Sequence, residues 1–191
     1  MRAFLFNMDT AIHAVLYILD ELKKREIATD FIKIFKILYF ADRQHLLKYG
    51  RTITGDDYIA MRQGPVPSVI YDIFKALRDG PNPYVQVPLL DDYFKVFDNH
   101  FVEPLQCCDL DYLSQTDIEE LNDSINKYAE VDSKNLSKMS HGSAWKNTYE
   151  DSPMSFAEIL KEIGADIEYV KYVQNNFATQ KAILNGVSAG C

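Results

Sequence analysis

The fold of this chain is organised around the stretch from Asp30 to Gly50, which reads DFIKIFKILYFADRQHLLKYG. Asp30 is a good N-cap residue, and glycine readily takes the left-handed conformation that ends a helix. A helix is therefore predicted from Thr29-Asp30 to Tyr49. Placing residues roughly 100° apart collects five apolar or aromatic side chains on one stripe, the predicted buried face. These are Phe31, Ile34, Phe35, Leu38 and Tyr49.

Two polar side chains, Asp42 and His45, fall in the middle of that apolar stripe. A buried carboxylate or imidazole must be hydrogen-bonded, or it destabilises the fold by several kcal/mol. The favoured interpretation is a structural polar network made of Tyr39, Asp42, His45 and Tyr58. Two alternatives stay open at this point. The pair could face a ligand or partner, or it could be a catalytic acid–base pair, although no nucleophile with a recognisable context lies nearby.

The bulk composition predicts one globular domain with an acidic surface. The chain has 191 residues, of which 47% are hydrophobic and 25% charged, a normal globular mix. We expect a single domain over residues 1–186 and a flexible tail over 187–191. The 28 acidic and 20 basic residues give a net charge of −8. Such a surface repels phosphate backbones and attracts basic partners, which argues against direct nucleic-acid binding.

Cysteine and histidine usage gives no sign of a disulfide framework or a metal site. The three cysteines are odd in number, and Cys107 and Cys108 are adjacent, a pattern that suits a reducing compartment. No C-x-x-C or H-E-x-x-H spacing occurs. No apolar run approaches the ~20 residues that a bilayer crossing needs. The sequence predicts a cytoplasmic protein with no membrane association, no metal and no cofactor.

Elements on either side of the central helix follow from local signals. Asn7 or Asp9 can cap a first helix that ends near Lys24. After the central helix, residues 58–61 read as a short strand. The stretch 64–67, Gly-Pro-Val-Pro, reads as a stiff connection to a third helix.

The second half of the chain contributes a hairpin and several short helices. Residues 93–105 predict a β-hairpin that turns at Asp98-Asn99. Ser114 and Thr116 can cap a helix, with Glu119 completing a capping box with Thr116, and residues 155–158 form a second box. The predicted fold class is mainly α, a compact helical bundle with one or two short β-hairpins.

Two surfaces are candidates for binding a partner. Trp145 could anchor a helix in the core, which is favoured, or serve with Tyr149 in a protein interface, where tryptophan and tyrosine are enriched. The segment Gly64, Pro65, Val66 and Pro67 could be a simple hinge, which is favoured, or could display its backbone to a partner beside the basic Arg62. If a partner surface exists, we expect it to be exposed around residues 62–68.

Several stretches together resemble one known family, the Panacea domain of SocA-like antitoxins, which includes phage-associated proteins. The first block comprises residues 36–50, KILYFADRQHLLKYG, residues 53–61, ITGDDYIAM, and residues 64–71, GPVPSVIY. The second block comprises Leu136-Ser137, Ser140-His141, Ala144-Trp145 and Tyr149. Each motif is short, but their order and spacing are fairly specific.

The resemblance implies an antitoxin that neutralises a protein toxin by direct contact. It also implies an alternative, in which the chain is a proteolytic adaptor that delivers its toxin to a ClpXP-type protease. A competing hypothesis from another class is a hydrolase that uses Asp42, His45 and His141 together. That hypothesis requires His141 to lie within hydrogen-bond reach of the other two at an open pocket. The favoured expectation is a non-enzymatic interaction module.

Overall fold

The structure is a computed structural model that describes residues 6–80 and 90–188. Within these ranges it contains eight α-helices and two antiparallel strand pairs, so the prediction of a mainly α fold is confirmed. The helices are α1 (Met8–Lys24), α2 (Phe31–Tyr49), α3 (Ser68–Asp79), α4 (Gln115–Tyr128), α5 (Ser133–Met139), α6 (Ser143–Lys146), α7 (Phe156–Glu162) and α8 (Ile167–Ser188). The strands are β1 (Tyr58–Met61), β2 (Gly64–Pro67), β3 (Phe94–Phe97) and β4 (Phe101–Pro104).

The first two helices begin where their capping residues predict. The Asn7 side chain accepts a hydrogen bond from the Thr10 amide, and the Asp30 side chain accepts one from the Lys33 amide. Gly50 ends α2 in the left-handed conformation, with φ of 72°. Each signal acts between residues a few positions apart, so it is visible in the sequence.

Helix α2 lies at the centre of the fold and packs against α1, α4, α5, α7 and β2. It is therefore buried well beyond the single stripe that the spacing predicts, and even Lys33 and Lys36 are enclosed. Tyr49 is the exception among the predicted stripe residues. It is 44% exposed because it occupies the last turn, beyond most of the surrounding helices.

The segment Gly64–Pro67, expected to be a connection, is strand β2. It pairs with β1 in register Met61↔Gly64 and Tyr58↔Pro67, so that Arg62 and Gln63 form the turn. Pro65 and Pro67, which have no N–H group, are two positions apart, so both occupy positions that need no hydrogen bond to β1. Val66 lies between them and can form the backbone hydrogen bonds to β1. The second hairpin, β3–β4, turns where predicted, with Asp98 and Asn99 both at positive φ.

Both predicted capping boxes differ from the structure. The box that opens α4 joins Ser114 to Asp117, not Thr116 to Glu119, because the chain enters the helix two residues earlier. Ser155 is the N-cap of α7, but its side chain makes no capping hydrogen bond.

At the C-terminus, α8 continues past residue 186 to Ser188, so the start of the predicted tail is helical. Residues 189–191, the rest of that tail, lie outside the described residues. None of the helices in the described part of the chain has the length and apolarity that a bilayer crossing would need.

Candidate functional site

Asp42 joins α2 to the loop that follows it. Its carboxylate, 1% exposed, accepts hydrogen bonds from the Ile53 amide at 2.6 Å, the Thr54 hydroxyl at 3.1 Å and the Tyr58 hydroxyl at 2.7 Å. Burial raises the pKa of Asp42, and these three donors oppose that shift. The side chain therefore fixes the path of residues 53–58 against α2.

A second buried carboxylate, Asp56, caps α3 from a distance in the chain. Pro67, the residue before α3, has no side chain that could accept from the first amides of the helix. Asp56 replaces it, since its oxygens accept from the amides of Val69 and Ile70 at 3.0–3.1 Å and from the Ser68 hydroxyl at 2.9 Å. Asp42 and Asp56 thus hold the two ends of the first hairpin.

His45 joins α2 to α4. Its Nδ1 lies 2.9 Å from the Arg51 carbonyl, so this nitrogen donates. Its Nε2 lies 3.1 Å from the Thr116 hydroxyl and 3.0 Å from Asp117. Burial alone raises the pKa of Asp117, but hydrogen bonds from His45 and Ser114 and the charge of Arg51 outweigh burial and bring it to about 2. Asp117 is therefore ionised and links α4 to His45 and Arg51.

The four predicted network residues are all buried, but hydrogen bonds unite only two of them. Tyr58 donates to Asp42, whereas His45 has the partners in α4 just described. Tyr39 packs its ring on Tyr58 with centroids 5.1 Å apart. Its hydroxyl has no hydrogen-bond partner among the described residues, so Tyr39 acts through ring packing.

The first hairpin is held on several sides. On one side, the β1 residue Ala60 exchanges backbone hydrogen bonds with Asp151 and Ser152 at 2.9 Å. At the tip, Ser137 donates to the Gln63 carbonyl at 2.9 Å. Trp145 Nε1 donates to the Met61 carbonyl at 3.0 Å. The tip is therefore a positioned element.

The expectation that residues 62–68 are exposed is wrong for Gly64–Pro67, which are buried. They lie against α2, where Lys36 donates to the Pro65 carbonyl at 2.7 Å. Gly64 has φ of 98°, and a Cβ there would clash with the Ser140 hydroxyl, so this position requires glycine. Arg62 and Gln63 at the tip are exposed.

Trp145 lies beside this tip, whereas Tyr149, four residues later, is in a different environment. Trp145 is half-buried and stacks on His141 with ring centroids 3.7 Å apart. Arg62, Trp145 and Ala60 line one small cavity of about 240 Å³. Tyr149, which is 89% exposed, begins the turn that carries Ser152 to β1. An exposed arginine thus lies beside an anchored tryptophan, and an exposed tyrosine follows four residues after that tryptophan in the chain.

A comparison with protein families identifies the chain. The family model described as antitoxin SocA-like, Panacea domain, matches residues 34–146, more than half of the 191 residues. The chain belongs to this family. The match runs from α2 to the end of α6 and so includes both hairpins, the Asp42 hydrogen bonds and Trp145, and it confirms the resemblance noted in the sequence. No curated protein and no solved structure matches the chain.

The three residues of the hydrolase hypothesis are not assembled in this Panacea domain. Asp42 and His45 are directed to separate partners in the interior, and His141 stacks on Trp145. Nε2 of His141 is buried and has no hydrogen-bond partner among the described residues. Over the same residues, no group of three or more His, Cys, Asp or Glu side chains is placed to hold a metal ion.

Sequence reasoning missed Lys36, which is 1% exposed on α2 of the Panacea domain. Its ammonium has one hydrogen-bond acceptor among the described residues, the Pro65 carbonyl. Burial lowers the pKa of Lys36 to about 7. A lysine between apolar residues of a predicted buried face is the signal that could have revealed it.

The stability of the Panacea domain should depend on pH because of Lys36. Because its pKa is lowered by folding, the unfolded chain binds more protons above neutrality, and stability rises with pH. We expect the free energy of unfolding to rise by about 2 kcal/mol relative to Lys36→Met between about pH 7 and about pH 9. Urea unfolding across this range measures it, with the exposed Lys161→Met as control. Parallel profiles for wild type and Lys36→Met would contradict the assignment.

Proposed function

We propose that this Panacea domain is an antitoxin-type interaction module that neutralises a protein toxin by direct binding. The observation that carries the proposal is the family match, which covers the central helix and both hairpins. The family description names antitoxins, and a protein toxin is the partner that this implies.

The contact surface that we propose is a binding face made of Arg62, Trp145 and Tyr149. Arginine, tryptophan and tyrosine are the residues most enriched among those that dominate interface energies. The guanidinium of Arg62 has no hydrogen-bond or ion-pair partner among the described residues, so it is available to a partner without breaking an existing contact. Gly64, Pro65, Val66 and Pro67 support this face from beneath.

The binding face lies on a platform that the interior hydrogen bonds hold in place. Trp145 is attached to β1, and β1 is attached to both α2 and the 151–154 segment. A surface that is ordered before binding loses less conformational entropy when the complex forms. The net charge of −8 also favours encounter with a basic partner.

A non-enzymatic role is part of the proposal. Asp42 and His45 are enclosed and hydrogen-bonded within the scaffold, and neither faces a cleft with His141. We also propose a cytoplasmic location, because the odd number of cysteines suits a reducing compartment.

Co-expression with the product of the adjacent gene tests the function. We expect that product to stop growth when expressed alone, growth to resume when this chain is present, and the two proteins to co-purify. A neighbour that is harmless alone and forms no complex would contradict the proposal. Rescue that instead requires the host ClpXP-type protease and removes the toxin from the cell would indicate a proteolytic adaptor.

A further inference from the structure

A groove of about 680 Å³ lies between α2, α3 and the hairpin tip. Its apolar walls include Phe35 of α2, Met61 of β1 and Tyr71 of α3. The Tyr71 ring stands edge-on to Phe35, with centroids 5.9 Å apart. The groove has the size and lining of sites that take one apolar group together with a few polar contacts.

Positive charge collects at this groove although the chain as a whole is acidic. The residues that line it include the cations Lys36, Arg62 and Arg78, against one carboxylate, Asp30. Asp30 is already engaged by the Lys33 amide and the Ser133 hydroxyl. Arg78 is paired with Asp79 at 2.7 Å. The surplus charge therefore comes from Arg62 and from the protonated form of Lys36.

Lys36 has fewer hydrogen-bond acceptors among the described residues than Lys33, the other buried lysine of α2. Lys33 Nζ donates to the carbonyls of Ala129 and Val131, at the C-terminal end of α4, where the helix dipole favours a cation. Lys36 donates to the Pro65 carbonyl alone among the described residues, and no carboxylate pairs with it there. Because its ammonium is enclosed, Lys36 acts on an acceptor in the groove through its charge, and a carboxylate bound nearby would favour the charged form.

We propose that this groove is the docking site for an acidic segment of a protein partner, which inserts one apolar side chain. The apolar side chain packs between Phe35, Met61 and Tyr71. The neighbouring carboxylate of the segment meets the guanidinium of Arg62 at the rim and is attracted by the charge of Lys36. Arginine suits this task because its planar fork can bind a carboxylate through two hydrogen bonds. The identification of that partner with the toxin rests on the proposed function.

The position of Arg62 connects the groove to the binding face. Arg62 lines both this groove and the smaller cavity next to Trp145. A segment in the groove would therefore continue into the cavity beside Trp145. Specificity arises from the charge, because a partner segment without a carboxylate would leave Arg62 and Lys36 uncompensated.

A peptide selection tests the groove without using the toxin. The full chain is panned against a random peptide library displayed on phage, and the enriched peptides are synthesised and their affinity is measured by fluorescence anisotropy. We expect enriched peptides to carry an acidic residue beside an aromatic or aliphatic one. Arg62→Glu and Lys36→Met should each weaken their binding by about tenfold or more, as should replacement of the acidic residue by glutamine.

The control is Lys171→Glu, a charge reversal on α8 that should leave peptide affinity unchanged. The proposal is overturned if no peptide is enriched, if enriched peptides lack acidic residues, or if they bind Arg62→Glu as well as wild type. It is also overturned if the chain forms a dimer that Arg62→Glu dissolves, because the groove would then hold a second copy. Peptide binding without any toxin complex would leave the groove standing while the proposed function fails. A toxin complex without any peptide binding would rule out the groove and leave the proposed function standing.

Discussion

Replacement of Asp42 by alanine is expected to lower the free energy of unfolding by about 3–5 kcal/mol. The substitution removes the acceptor of three buried donors, the Ile53 amide and the hydroxyls of Thr54 and Tyr58. Each donor left unsatisfied in the interior costs about 1–3 kcal/mol, and partial relaxation reduces the sum. In a chain of this length, the corresponding fall in melting temperature is about 10 °C. Circular dichroism during heating and urea unfolding measures both quantities.

The matched control is Asp123→Ala, which removes an exposed aspartate from α4. Its effect should be within about 0.5 kcal/mol, as for most surface substitutions. Asp42→Asn keeps one acceptor oxygen and should lie between alanine and wild type. Normal stability of Asp42→Ala together with lost neutralisation would contradict the assignment of Asp42 to the structural scaffold. Asp42 would then belong to the partner site, and the scaffold would not depend on it.

The second large effect concerns the binding face. We expect the double variant Arg62→Glu/Tyr149→Ala to weaken the complex with the toxin by about 100-fold, or about 3 kcal/mol. Charge reversal of Arg62 would repel the partner carboxylate that we propose Arg62 binds, and the Tyr149 substitution removes a ring that the partner would cover. Both side chains are exposed, so the melting temperature should stay nearly unchanged. Calorimetric titration of purified toxin and a growth-rescue assay measure the outcome.

Tyr172→Ala provides the control for this experiment. Tyr172 is a 59% exposed tyrosine on α8, outside both the binding face and the family match. Its replacement should leave toxin affinity unchanged. If the double variant binds as tightly as wild type, or if Tyr172→Ala weakens binding more, the toxin contacts another surface. Because melting temperature is measured alongside, unfolding cannot be mistaken for lost contact.

Local signals in the sequence determined most of the secondary structure and the family. The caps Asn7, Asp30 and Gly50 act within one helical turn, so the bounds of α1 and α2 could be predicted from neighbouring residues. The Asp98-Asn99 turn of the second hairpin is equally local, because both residues tolerate positive φ. The motif blocks at 36–71 and 136–149 were sufficient to predict the family, which the match over residues 34–146 confirms.

The tertiary structure alone decided which polar side chains meet. Asp56 caps a helix 12–14 residues further along the chain, and His45 lies beside Asp117 in a different helix. The hydrogen bond from Lys36 to the Pro65 carbonyl likewise depends on where β2 packs, which no local pattern encodes. Burial of Gly64–Pro67 has the same origin, since only the contact of the hairpin with α2 turns an apparently open connection into an interior strand. Caps and turns are chosen by neighbours in sequence, whereas a buried charge takes its partners from whatever the assembled fold brings within hydrogen-bond distance.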